Sequence, residues 1–419
     1  LGVVEVVARV QPTRQPADVD PVRVVDGGED PVAVGLTPRG LQRVVVAVLR
    51  VDRFAALGTA FVEKIEVEVC GGFAPRVVPS KGHLSPAPPS GHPDLVVSCD
   101  RDPVVACVGE RAHTVAVLLV PCGGEPGGPR LLDQRVDSLL QAGKPDMAIV
   151  TMIAAHAPDV IRPLLEAGVH VMAEKPSCVR AEDFAELASL ADKNGAHLML
   201  ALANRLRPDV QQARSIIADG GIGNLYALRA VQVDDQTRIQ KRLNDPDWTF
   251  QKKLAGGGHL SWLGIHRLDM LSYLASEDIV EVSAMTSVAG GAPIDVEDLG
   301  IVTLRFASGA LGALFSGYLM DQKGHRGWTV YGSNGWVRGN EAEVEALEWR
   351  SVSSEMLGSN NRRYEYSGQP GGYTPWVERT LRAALGEAPA PITAAESLQV
   401  LRVVHAAYAS AESGSAVTL

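Results

Sequence analysis

The sequence predicts an α/β unit with a parallel sheet, followed by an α+β domain: a mostly antiparallel sheet with helices on one face. Short apolar strands alternate with helices between residues 131 and 203, the grammar of right-handed βαβ units. Beyond Asn204 the extended segments succeed one another with hairpin signals between them. The chain then closes on two helices with their own start signals.

Residues 1–130 stand apart from both patterns. They contain no Met, Trp, Tyr or Asn, isoleucine only at Ile65, and lysine only at Lys64 and Lys81, yet four of the five cysteines. Val44–Leu49 and Thr114–Val120 read as strands, whereas Pro75–Pro93 is broken repeatedly by Pro, Gly and Ser. Two readings compete. One is a distinct amino-terminal domain. The other is a stretch that is not evolved protein sequence, from a misplaced start or a shifted reading frame, and the chain starts at Leu1 rather than Met. The inconsistency between local pattern and foldability favours the second, an anomalous segment that is mistranslated or disordered.

From Leu131 the pattern becomes orderly. Leu131–Ala142 reads as a helix stopped by Gly143, and Met147–Val150 as a buried strand. Ala157–Ala167 is a helix with Pro158 in its first turn and Gly168 at its stop. Pro163 lies past the first turn and should kink it. Val169–Ala173 is a strand, Ala181–Lys193 an amphipathic helix with Phe184, Leu187, Ala188 and Ala191 on one face, and His197–Ala203 another strand.

Pro208–Ala218 is a helix stopped by Gly220 and Gly221, and Tyr226–Val233 a strand. Gly257–Ala275 carries a histidine helix. Extended segments follow at Ile279–Ser287, Ile301–Phe306, Ala310–Tyr318, Gly327–Tyr331 and Gly335–Arg338, with turns at Ala307–Gly309 and Ser333–Gly335. Thr374 and Pro375 offer a cap and a first-turn proline. Thr393 and Glu396 form a capping box opening a helix toward Ser413 and Gly414.

Composition narrows the function classes. The chain has 419 residues, room for two or three domains at about 150 residues each. A net charge of −10 argues against nucleic acid or an anionic membrane as partner and is compatible with a small polar substrate. No apolar stretch approaches the ~20 residues that span a bilayer, and no secretory leader is evident. The five cysteines, Cys70, Cys99, Cys107, Cys122 and Cys178, contain no Cys-x-x-Cys pair. Zinc and a disulfide scaffold are therefore not expected, and reduced thiols in a cytoplasmic protein are.

Glu174-Lys175-Pro176 follows a buried strand, at the carboxyl end where open α/β sheets bind ligands. A lone lysine there is most often solvated surface. The functional reading is a cation that orients a substrate hydroxyl and stabilises alkoxide character. His266 lies on an apolar helix, where a lone histidine is more often a core or capping residue. The glycines 256–258 shift that balance, because they permit close approach of the backbone to another group. The helix amino end also favours an anionic or hydroxyl-rich ligand. Asp269 is one turn from His266, so the two share a face and make a candidate acid/base pair. A metal site with His259 is conceivable, but the spacing lacks a ligand motif, and none is expected.

These motifs resemble, over residues 131–419 and about seventy per cent of the chain, the glucose-fructose oxidoreductase / inositol dehydrogenase / rhizopine catabolism (Gfo/Idh/MocA) family. Glu174-Lys175-Pro176 resembles its signature after the fifth strand, and Gly256 through Asp269 its second motif. Asp298 with the next strand, the Tyr331–Gly335 hairpin and the closing helix from Tyr408 toward Val417 also fit. The resemblance implies a Rossmann dinucleotide-binding domain, of which 131–203 is the second half, then an open-faced sheet domain over 204–419 for substrate binding and oligomerisation.

It further implies oxidation of a sugar or polyol hydroxyl with hydride passing to NAD or NADP. Lys175 would bind the reacting hydroxyl and His266 would be the base. Asp269, Trp262 and Arg267 would contact substrate. Thr151, Met152, Glu174, Lys175, Pro176 and Asn204 would line the cofactor. A homodimer or homotetramer is implied as well.

Two departures stand out. Many relatives carry Asp four residues before the histidine, where this chain has Trp262. The consequence is either a sugar-stacking wall or lost dehydrogenase chemistry. A Gly-x-Gly-x-x-Gly turn is also missing: Gly123–Gly128 has the wrong spacing, and Pro126 and Pro129 intrude. Alternatives are therefore an NAD-dependent glycosidase using transient oxidation, or a non-catalytic relative with an incomplete cofactor site.

Overall fold

Apolar periodicity dictates where the chain buries its strands, and the computed structural model follows it closely. It describes residues 143–419 except 238, 240–247, 321–323, 341–345, 353–361, 367 and 370. Before these it describes residues 136–137 and 139–141, which are helical, and six short strands. The expected strand Val44–Leu49, the broken stretch Pro75–Pro93 and the glycine run Gly123–Gly128 lie outside the described residues. Two units divide the chain, Leu1–Met152 and Ile153–Leu419.

In the first unit, β1 (Val22–Val24) pairs antiparallel with β2 (Val32–Val34), and β3 (Arg50–Val51) with β4 (Val62–Lys64). β5 (Val104–Val108) runs antiparallel to β6 (Val115–Leu119), the strand expected over Thr114–Val120. β6 runs parallel to β7 (Met147–Thr151), with Val117 opposite Ile149.

The second unit opens with α1 (Ala157–Glu166), whose Val160, Ile161, Leu164 and Leu165 are buried and whose course runs on through Pro163. β8 (His170–Ala173) and β9 (Leu198–Leu200) pair in parallel, with α2 (Ala181–Lys193) as the crossover between them. β9 is shorter than the expected strand. Ala203–Leu206 winds into a 3-10 turn instead, because Arg205 in that turn is tied into a buried ion pair. α3 (Pro208–Ala218) starts on its proline, as the sequence predicts.

The large sheet is built from β10 (Leu225–Asp235), β11 (Ile279–Ser287), β12 (Leu299–Phe306), β13 (Leu311–Met320), β14 (His325–Gly332), β15 (Gly335–Asn340), β16 (Ala346–Ser351), β17 (Arg362–Glu365) and β18 (Val417–Thr418). Their order is β17-β16-β15-β14-β10-β13-β12-β11-β18. Only β10 and β13 pair in parallel among them.

Strand alternation gives this sheet one covered and one open face. On β12, Val302, Leu304 and Phe306 are buried while Ile301, Thr303 and Arg305 are exposed. α5 (Ile265–Ala275) and α7 (Ala394–Ser413) pack on the covered side. α7 also packs on α2 and β9. Its Ser397 hydroxyl accepts from the Leu200 amide (3.4 Å), and its Ser410 hydroxyl from that of Ala284 (3.0 Å). The capping box is formed as expected, between Thr393 and Glu396. α6 (Tyr373–Ala384) begins two residues earlier than expected. Gly372 occupies its cap position, so Thr374 lies inside the first turn rather than capping it.

Candidate active site

The site grows from two turns that touch. The first leaves β8 at Ala173 and runs through Glu174, Lys175 and Pro176, with a cis Lys175–Pro176 bond and Ser177 at φ 64°. The Cys178 thiol donates back to the Pro176 carbonyl at 3.7 Å, and burial raises its pKa to about 12. The second turn is the glycine run. α4 (Lys252–Ala255) ends on Gly256 at φ 79°, and a Cβ there would lie 3.2 Å from the Val179 Cα. Glycine lets the second turn close on the first.

The other glycines correct an expectation. A Cβ on Gly258 would fall 1.9 Å from the Glu297 carbonyl oxygen, so the close approach they permit is to the protein itself. Glu297 also fills the place expected for an anionic ligand. Its carboxylate accepts from the Gly258 and Leu260 amides, each at 2.8 Å, and from the Tyr408 hydroxyl at 3.0 Å. The Tyr408 hydroxyl in turn accepts from the Ser261 amide at 3.2 Å. The orphan donors of this helix start are thus satisfied internally.

From this anchored start the chain winds one wide π-turn, Leu260–Gly264, before α5 begins. The Ile265 amide reaches back to the Leu260 carbonyl, five residues away. Such widened turns recur at functional sites. Here the Trp262 carbonyl accepts a hydrogen bond from Lys175 Nζ at 2.8 Å. The same Nζ lies 4.4 Å from the centroid of the Trp262 ring, a cation–π contact. Trp262 therefore holds the lysine through a backbone oxygen and an indole face. Trp248 stands against Trp262 with ring centroids 5.1 Å apart.

His266 sits in the first turn of α5. Burial pushes its pKa well below the usual histidine range, and the Lys175 and Arg267 cations push the same way. Its Nδ1 is buried without a hydrogen-bond partner. Burial also lowers the Lys175 pKa, against the opposing pull of Glu174. The arrangement is a neutral imidazole beside a buried lysine, able to accept a proton and to hold an oxygen.

Other expected residues are placed differently. Asp269 is fully buried and committed to Arg205, whose guanidinium donates to both carboxylate oxygens at 2.8–3.1 Å and also to Glu396. Arg267 is buried against β10, with Nε donating to Gln232 Oε1 at 2.8 Å. Both side chains are thus held by partners within the protein. His259 is enclosed between Ser316 (2.7 Å), Asp234 (3.2 Å) and the Tyr318 ring. Among the described residues no group of three His, Cys, Asp or Glu is placed to hold a metal. Asn204 lies half-buried in the turn after β9. Thr151 ends β7 and Met152 follows it, both in the first unit. Tyr373, Trp248 and Glu297 were not legible as site residues, because their partners are far away in sequence.

The donor set fits a nicotinamide and a hydroxyl at this end of the site. Ser177 Oγ and His266 Nδ1 are buried polar atoms lacking a partner, and Lys175, in the same turn as Ser177, reaches the Trp262 carbonyl of the histidine segment.

Comparison with known proteins shows the family. The family model described as "Oxidoreductase family, NAD-binding Rossmann fold" matches residues 121–202, and "GFO/IDH/MocA C-terminal domain" matches residues 210–338. The chain belongs to the Gfo/Idh/MocA family and carries its NAD-binding Rossmann fold. It is similar to levoglucosan dehydrogenase of Pseudarthrobacter phenanthrenivorans, 28% identical over 53% of this chain and 62% of that one. The match thus spans less than two thirds of that relative's length. Among solved structures it is similar to aldose-aldose oxidoreductase from Caulobacter crescentus complexed with glycerol. That likeness has TM-score 0.58 and 26% identity, covering 69% of this chain and 83% of that one. It is also similar to GenD2 from gentamicin A biosynthesis in complex with NAD, with TM-score 0.57, 25% identity and coverage of 68% and 81%.

Proposed function

We propose that this chain is an NAD(P)-dependent dehydrogenase oxidising a hydroxyl of a sugar, polyol or related compound. The observation that carries the reading is the buried, unpartnered His266 Nδ1 beside the buried Lys175. Lys175 binds the reacting oxygen and stabilises the negative charge that develops on it. His266, held neutral, takes the hydroxyl proton. Bound nicotinamide supplies the acceptor for the electron pair leaving the carbon. Trp262 and Trp248 form an aromatic wall suited to the apolar face of a sugar ring. Glu174, Pro176 and Asn204 border the nicotinamide side.

The names of the relatives support a sugar substrate. In the same reading, residues 131–203 complete a Rossmann domain and 204–419 bind substrate and oligomerise. Residues 1–130 are an anomalous segment, which reading the DNA across these codons in all six frames would test. The scattered cysteines support a cytoplasmic location.

The assay is a panel of aldoses, inositols and glycosides incubated with NAD or NADP. Stoichiometric NADH or NADPH formation is expected with at least one. Release of nitrophenol from a glycoside without net NADH would instead establish the glycosidase alternative. Absence of turnover, together with no nucleotide-dependent change in tryptophan fluorescence, would establish an impaired relative.

A further inference from the structure

Glu174 adjoins a buried ammonium and does not close on it. Glu174 Oε2 stands 3.9 Å from Lys175 Nζ, beyond hydrogen-bond distance. Its other oxygen, Oε1, accepts from the Tyr373 hydroxyl at 2.9 Å. The lysine donates instead to the neutral Trp262 carbonyl. Tyr373 is the first residue of α6, delivered by Gly372 at φ 72°, a conformation open to glycine. The residue as a whole is 47% exposed, so it contributes little to the core. Burial and the adjacent Glu174 raise the phenol's pKa, which keeps it a donor at neutral pH.

We propose that Tyr373 is a positioning residue for Lys175: by holding one oxygen of Glu174, it keeps that carboxylate from pairing with the ammonium and leaves Nζ aimed at the Trp262 carbonyl. This deepens the dehydrogenase reading and rests on it for its catalytic meaning. An ammonium closed onto Glu174 would be neutralised and poorly placed to meet a substrate oxygen. The titratable groups facing Lys175 are Glu174 and His266; Tyr373 reaches Glu174, while Arg267 acts on His266 and is itself tied to Gln232. Closing the gap from 3.9 Å to contact, at an effective dielectric near 20, would raise the lysine's pKa by about one unit.

Competitive labelling of the full chain with acetic anhydride across a pH series, read by mass spectrometry of the Lys175 peptide, measures that pKa without cofactor or turnover. Tyr373→Phe should raise it by about one unit, a roughly tenfold loss of reactive amine below the pKa. Glu174→Gln alone should lower it, and in the Glu174→Gln background Tyr373→Phe should have no further effect. An unchanged pKa in Tyr373→Phe, or the same shift with and without Glu174, would overturn the proposal. Since labelling needs no substrate, a failed dehydrogenase assay leaves this result standing, and a failed labelling result leaves the assay standing.

Discussion

His266 and Lys175 oppose each other electrostatically, and the opposition sets the proton acceptor. Burial first, then the Lys175 and Arg267 cations, hold the imidazole neutral. The sign for stability follows. The folded pKa lies below the unfolded value of about 6.5, so the folded state binds fewer protons as acid is added. Stability is complete above about pH 6.5 and declines below it, by about 1.4 kcal/mol per unit for such a histidine until its folded pKa is reached. His405 on α7, whose pKa is lowered by burial against Glu182 and Asp183, adds in the same direction. Urea unfolding at pH 7.5 and at about pH 5.5 measures the loss. His266→Gln should shrink it, and an undiminished slope would mean that His266 is not held neutral. Lys175 and His266 were legible because their signal is local: a strand end, and a histidine on an apolar helix. The partners of Asp269 and Arg267, namely Arg205 and Gln232, were not legible because they lie 64 and 35 residues away in sequence.

Helix starts divide along the same line. The Thr393 capping box spans four residues, Thr393 to Glu396, and was readable directly. The cap on the histidine segment is Glu297, 37 residues beyond Leu260, and no local pattern announces it. The π-turn was likewise hidden, since apolar periodicity over five residues does not separate a π-turn from an α-turn. Thr393→Ala should cost about 1 kcal/mol, the usual value of such a cap. Urea or thermal unfolding checks it, and an unchanged midpoint would mean that the box is idle. Gly258→Ala should be more disruptive, because its Cβ would enter the Glu297 carbonyl. It should lower the melting temperature and detach the start of the histidine segment from its carboxylate, which faster amide exchange at Leu260 would reveal.

Across the molecule, the two architectures were legible because periodicity changes near Asn204, from βαβ units to hairpins. The open face of the large sheet was legible only in outline. Its composition appears once register aligns Met285, Ile301, Phe315 and Val231 in one row across four strands. Met285 is 80% and Ile301 46% exposed, a contiguous apolar strip of the kind that marks an interface. The oligomerisation proposed for residues 204–419 would use this strip. Phe315→Glu should shift sedimentation from dimer or tetramer toward monomer, and a wild-type monomer would contradict this. The account as a whole turns on Lys175 and His266. Its most direct test is NAD- or NADP-linked turnover of Lys175→Ala and His266→Ala beside the unaltered chain, with nucleotide binding followed by fluorescence. The account predicts that each substitution lowers kcat at least ~100-fold while circular dichroism and nucleotide binding persist; wild-type kcat in either variant would contradict it.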